Sequence, residues 1–431
     1  MLQVLLSGET AAPGTTTGKT GIPNDLTAGG TTTVTVNAVD AFWNPVSSAT
    51  PSVTIAASPA QITGLPSTAS LSSGARSLVL TPTTAGDFVL TATDNGGSPL
   101  TSGTSDGFTV FAGSATHLRV TAPGSTTAGA QFNVTVTALD GYDNAAPTYA
   151  GAVHFTSTDG GATLPANSTL TNGAGTFSAT LATQGTQTIT GTDTNTGTIT
   201  GTSNSITVAP SAAQTISLVL SPTSITANFS ATTTATVTIK DGSNNPLQGK
   251  TVTITQNGDV TVGTVTDNHN GTYTATITAS KTSGVTTITA TDTTDSIFTT
   301  TNLTEVAGPA TQLAVLLPGE TIAAGTGVKS WTSSAYVATA GTAFNITVRA
   351  LDQYFNLATT ATPTVTFASR IAGSADSTAV LPGSTTLVGG TRTVSVTPKA
   401  ATTTTNWVIV ASSNPLVDGT GTAIKVDAGA A

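Results

Sequence analysis

The chain has 431 residues, of which 37% are hydrophobic and only 8% charged, with 21 acids against 12 bases, a formal net charge of −9 and no cysteine. That length exceeds one β-sandwich and suits three or four domains of about 100 residues, and the hydrophobic content excludes a disordered chain, which needs low hydrophobicity and high net charge. The scattered bases argue against nucleic acid and against an anionic membrane surface, and the missing cysteine removes disulfides and thiol chemistry.

Thr, Ser, Val and Gly dominate, and Glu occurs only at Glu9, Glu305 and Glu320. β-branched residues fit a pleated, half-buried surface, so strands are expected throughout. The opening Met1–Ser7 stretch is too short for a signal peptide and lacks a basic start, and no stretch is long and apolar enough to span a membrane. Any export signal is therefore expected outside this piece, and Met1 reads as a cloning start or a truncated frame. Leu2-Gln-Val-Leu-Leu-Ser-Gly-Glu-Thr10 reads as a first strand, and it returns as Leu313-Ala-Val-Leu-Leu-Pro-Gly-Glu-Thr321.

Next comes an extra segment, Pro13 to Thr27, rich in Gly, Thr and Ala. Its counterpart near the other end runs from Ala324 to Ala338. The second strand then alternates: Val34-Thr-Val-Asn-Ala-Val leads to Asp40, and Asn44 follows four residues later. The same unit returns at Val134 to Asp140 and Asn144, at Ala235 to Asp241 and Asn245, and at Ile346 to Asp352 and Asn356. The four Asp positions are spaced by 100, 101 and 111 residues, the period of a sandwich domain. Phe132, Val134, Val136 and Ala138, like Phe344, Ile346, Val348 and Ala350, alternate with polar residues. Period two puts one face on a core and the other in water. Asp and Asn then suit a turn, where short side chains bond nearby amides.

Later strands follow Gly86, Gly185 and Gly284 and end at Asp94, Asp193 and Asp292; the fourth copy is looser, through Trp407–Ala411. Linkers recur as Ala112–Thr116, Ala209–Ala213 and Ala307–Thr311. The expected architecture is all-β: tandem immunoglobulin-like β-sandwiches of about seven strands each, in an elongated array, over residues 1–112, 113–210, 211–308 and 309–431. The first and fourth domains share the extra segment.

The strand-Asp-x-x-x-Asn turn, with Pro45 and Pro246 after it, and the strands Gly175-Thr-Phe-Ser-Ala-Thr-Leu181 and Asn270-Gly-Thr-Tyr-Thr-Ala-Thr-Ile277 resemble bacterial immunoglobulin-like repeats of large surface proteins. These include the stalks of invasin- and intimin-like adhesins, and the Asn270 version is also similar to filamin-type repeats. The resemblance covers essentially the whole chain and implies a cell-surface location. It also implies a spacer role, because most such domains hold a terminal binding domain away from the cell.

No enzyme is expected. His117, His154 and His269 lie in unrelated contexts, whereas zinc needs three or four converging ligands, and no G-x-S-x-G elbow is present. No cofactor is expected either. Calcium is the one metal with candidates, at Asp140 with Asp143 and Asp292 with Asp295, although it asks for six to eight oxygens and capped turns explain these acids as well. The sequons at Asn133 and Asn345 fall in or beside strands.

The aromatics inside the turns, Phe42, Trp43, Tyr142, Tyr354 and Phe355, form a candidate interface. They can pack against the neighbouring domain or stack on a sugar. In an immunoglobulin-like sandwich this turn lies at the N-terminal pole, facing the preceding domain. The extra segment, following the first strand, is expected at the opposite pole, with Pro13 to Thr27 against the Tyr142 turn.

The leading function is therefore an extracellular structural spacer, stalk or fibre-forming segment. One alternative is a module that binds a glycan or host protein through the aromatic turns, and another is an accessory region of a secreted polysaccharide-active enzyme. Partners are neighbouring immunoglobulin-like domains, with self-association into fibres as a further option; nucleic acid and direct membrane insertion are not expected.

Overall fold

The computed structural model describes all residues except 60, 61, 63, 66, 67, 97–99, 333 and 431, and among the described residues there is no helix. The chain forms two compact units, Met1–Ser211 and Ala212–Ala431.

Each unit contains two repeats of one topology. In the first repeat, Leu2–Leu6 pairs antiparallel with Thr32–Ala38, which pairs with Ala75–Leu80 to make a three-stranded sheet. The facing sheet runs Leu26–Thr27, Phe108–Phe111, Gly86–Asp94, Ser52–Ser58 and Thr68–Ser70. The short Leu26–Thr27 strand is parallel to Phe108–Phe111. The chain thus crosses from one sheet to the other along its first edge, and this crossing recurs. Ser125–Thr127 runs parallel to Ile206–Ala209, Ser224–Thr226 to Ile297–Val306, and Ala338–Thr339 to Val426–Asp427.

Alternation along the second strand decides what lies between the sheets. Val34, Val36 and Ala38 are buried, as are Val134, Val136 and Ala138, Ala235, Val237 and Ile239, and Ile346, Val348 and Ala350. Each repeat gathers these into its own apolar cluster. The largest fully buried side chains include Trp407, whose ring meets Phe344 edge-on at 6.0 Å and whose Nε1 donates to Asp376. Tyr273, in the Asn270-Gly-Thr-Tyr strand, buries its ring while its hydroxyl donates to the Leu247 carbonyl and accepts from the Lys250 amide.

The extra segments depart from expectation. They form two-stranded hairpins, Glu9–Ala11 with Lys19–Gly21 and Glu320–Ile322 with Lys329–Trp331. Each folds back over the outer face of its own first strand and returns to the N-terminal pole. Gln3 donates from Nε2 to the Gly18 carbonyl, and Gly14 N–H bonds the Phe42 carbonyl at 2.8 Å. In the fourth repeat Lys329 Nζ donates to the Val315 carbonyl, and Gly325 N–H bonds the Tyr354 carbonyl at 2.7 Å. The predicted seat of Pro13 to Thr27, the opposite pole against the Tyr142 turn, is therefore corrected for the hairpin, whose tip rests on its own domain's aromatic turn; only the end of the segment, Leu26–Thr27, runs beside Phe108–Phe111 toward the linker.

Cover on both faces explains why Leu2–Leu6 is buried at every position, while the matching strand of the second repeat, His117–Thr121, alternates. A buried carboxylate fastens each hairpin. Glu9 accepts from Leu6 N–H and pairs with Lys19 at 2.7 Å, and Glu320 accepts from Leu317 N–H with Lys329 at 3.9 Å. Burial pushes the Lys329 ammonium below its ordinary value, partly offset by Glu320.

Candidate functional site: the aspartate–asparagine turns

The four Asp-x-x-x-Asn segments are one structure repeated. The Asp40 carbonyl accepts from Trp43 N–H, and Asp40 N–H donates to the Asn44 carbonyl. The fourth residue of each turn is left-handed: Trp43, Asp143, Asn244 and Phe355 have φ of 68°, 66°, 65° and 64°. A tight turn followed by a left-handed residue is a common hairpin closure. None of the four is glycine, so each turn carries backbone strain.

The carboxylate offsets that strain. In every copy one carboxylate oxygen accepts two backbone N–H groups inside the turn: Phe42 and Asn44, Tyr142 and Asn144, Ser243 and Asn245, Tyr354 and Asn356. The second oxygen accepts from the asparagine amide at 2.9–3.0 Å. Hydrogen bonds from Asn44, side chain first, hold the Asp40 carboxyl below its ordinary value. For Asp140 burial works upward, but bonds from Asn144, Gly113 and Tyr142 outweigh it and the net shift is downward.

The turns also reach beyond their own repeat. Asn144 donates from Nδ2 to the Thr83 carbonyl and accepts at Oδ1 from Ala85 N–H, both at 2.9 Å. Asn356 repeats this on the third repeat, donating to the Lys281 carbonyl at 2.9 Å and accepting from Ser283 N–H at 2.8 Å. The paired carboxylate holds the linker, since Asp140 accepts from Gly113 N–H at 2.8 Å and Asp352 from Gly308 N–H at 2.9 Å. One Asp–Asn pair thus closes its own turn, fixes the linker and grips the preceding repeat.

The aromatics divide by position. A Cβ placed on Gly29 would lie 2.4 Å from the Tyr142 hydroxyl, so that ring lies directly against the glycine of the preceding repeat. Tyr354 faces Lys281, whose Nζ lies 5.9 Å from its ring centre and 5.0 Å from that of Phe229. Trp43 and Phe355 turn inward, against Gly18 and Gly327 of their own hairpins. Phe42 is 71% exposed.

The acids named for calcium are placed as follows. Asp140 uses its oxygens as above, and Asp143 meets His117 Nε2 at 3.0 Å. Asp292 accepts from Thr294 N–H, and Asp295 accepts from Lys250 Nζ at 2.7 Å and from Ala213 N–H. Among the described residues no group of three or more His, Asp or Glu converges as a metal site would require. His154 bonds Asn167, and His269 lies 3.8 Å from Asp267.

Residues 212–308 match the family model described as invasin, domain 3. No curated protein matches the chain. Solved structures that it resembles include FdeC, an Escherichia coli adhesin, at 20% identity and a TM-score of 0.38, over 71% of this chain and 96% of that one. Invasin, described as a bacterial integrin-binding protein, aligns at 18% identity and a TM-score of 0.38, over 98% of this chain and 79% of that one. InvD of Yersinia pseudotuberculosis aligns at 21% identity and a TM-score of 0.34, over 72% and 97%. The family match therefore falls on the third of the four repeats.

Proposed function

We propose that this chain is a non-catalytic spacer within a larger extracellular bacterial surface protein, built from four domains at 1–112, 113–210, 211–308 and 309–431. The observation that carries this reading is the pole-to-pole latch. Asn144 and Asn356 each exchange two hydrogen bonds with the repeat before them, while Asp140 and Asp352 hold the linkers. A joint fixed by both linker and turn resists bending, which a stalk needs and a flexible tether does not. The reading uses no cofactor; calcium at Asp140 with Asp143, or at Asp292 with Asp295, would be an addition to it.

Small-angle scattering, with and without a chelator, tests the proposal. A compact chain of this length has a radius of gyration of roughly 22 Å. Four sandwiches end to end, each about 30–40 Å long from the strand rise, give about 40 Å. The compact value refutes the spacer, and a fall on chelation would assign a role to calcium.

A second reading, a glycan- or protein-binding module, draws support from the 71% exposure of Phe42. Binding on a glycan array that disappears in Phe42→Ala would favour it. Trp43 is a poorer stacking platform, because its ring lies against Gly18.

A further inference from the structure

We propose that the N-terminal pole of the first repeat is a docking surface for an immunoglobulin-like repeat of the third type, one that offers the Phe229–Lys281–Ser283 face. The inference rests on the latch reading above and names the partner it takes.

The first and fourth repeats build the same pole. Asp40, Phe42, Trp43 and Asn44 match Asp352, Tyr354, Phe355 and Asn356 in turn geometry, in the inward aromatic and in the hairpin glycine bonded to the turn. In the fourth repeat that pole is filled: Asn356 is 0% and Asp352 2% exposed. A Cβ on its hairpin glycine, Gly325, would come within 2.8 Å of Thr282 Oγ1 of the third repeat. In the first repeat the same pole is open. Asp40 and Asn44 are exposed, a Cβ on Gly14 would meet nothing within 4 Å, and Phe42 is 71% exposed. Among the described residues, the Asn44 amide oxygen has no donor where Asn356 holds Ser283 N–H.

The partner's type follows from the residue at one left-handed position. Gly29, Gly129 and Gly341 occupy it in three repeats, with φ of 83°, 79° and 86°. The third repeat places Phe229 there at 62°, a conformation that costs an L-residue with a Cβ. The return for that strain is an aromatic ring standing at the pole. Lys281 lies over it and over Tyr354 at once, so the ammonium sits between two π faces. Phe42 occupies the Tyr354 position and supplies the missing face. A repeat with glycine at this position instead meets the hydroxyl end of a tyrosine ring directly against it, as Gly29 meets Tyr142, and the second repeat that supplies Tyr142 has no hairpin.

The test is an extended chain in which a copy of residues 212–311 precedes the present sequence, with hydrogen exchange followed at residues 12–18 and 40–46. The expected result is exchange about tenfold slower than in the present chain. Lys281→Ala in the added copy alone should restore much of the faster rate, since that change cannot disturb the folding of the first repeat. A control extension with residues 1–112 should protect weakly. Unchanged exchange, or equal protection by both extensions, overturns the proposal. Ser283 N–H in the present chain separates the two readings: if it exchanges freely, the latch itself fails, and if it is protected while the extension does nothing, only the choice of partner fails.

Discussion

Asn356→Ala is the sharpest perturbation of the latch. The substitution keeps the backbone N–H bond to Asp352 and removes everything the amide does. Two neutral hydrogen bonds to the third repeat are lost, from Nδ2 to Lys281 O and to Oδ1 from Ser283 N–H. At about 1 kcal/mol net each, the junction loses about 2 kcal/mol. The bond from Nδ2 to the buried Asp352 carboxylate is also lost, and a bond to a charged group contributes roughly 1.5–3 kcal/mol. The fourth repeat should therefore lose about 3.5–5 kcal/mol.

Asn44→Ala removes the same bond inside an exposed turn with no neighbour gripped. Water replaces what is lost there, and the cost should be far smaller. The assay is urea unfolding of the full chain with fluorescence assigned to each repeat: Trp43 reports the first, and Trp331 with Trp407 the fourth. Equal costs at the two positions would refute the argument, because the turn alone would then account for the asparagine.

Gly29→Ala should destabilise the first unit by at least about 1–2 kcal/mol in thermal unfolding, since φ is +83° and the new Cβ would strike the Tyr142 ring; a neutral result would remove Tyr142 from the junction. Leu5→Ala should cost about 2–3 kcal/mol because the hairpin covers that face, whereas Thr121→Ala, at the matching exposed position of the second repeat, should stay within about 0.5 kcal/mol. Asp140 has a folded-state pKa below its unfolded value of about 3.9. Its contribution is thus complete above that value and is lost as pH falls through the folded pKa. Asp140→Asn should flatten part of the acid limb of the second repeat's stability curve, measured by thermal unfolding from about pH 6 downward.

What was legible in the sequence is local or periodic. Alternation at Val134, Val136 and Ala138 decides which face is buried without reference to any distant residue, because successive strand side chains point to opposite faces. The Asp-x-x-x-Asn turn is equally local: the carboxylate reaches amides two and four residues ahead of it. Repetition at sandwich spacing then carries the fold class. That the first strand is covered on both faces was also written there, in a signal the alternation rule passes over. Val4-Leu5-Leu6 and Val315-Leu316-Leu317 are unbroken apolar runs, which mark a strand covered on both faces, whereas Val120 is followed by Thr121.

Tertiary structure alone decided three things. The hairpin returns to its own turn because Gly14 and Gly325 find carbonyl partners there, not at the opposite pole. Trp43 and Phe42 are adjacent in sequence, yet the left-handed backbone at Trp43 sends one ring inward and leaves the other in water. Asn144 and Asn356 reach across a junction to residues 61 and 75 positions away. Such bonds depend on how two folded surfaces meet, and no local pattern encodes that meeting.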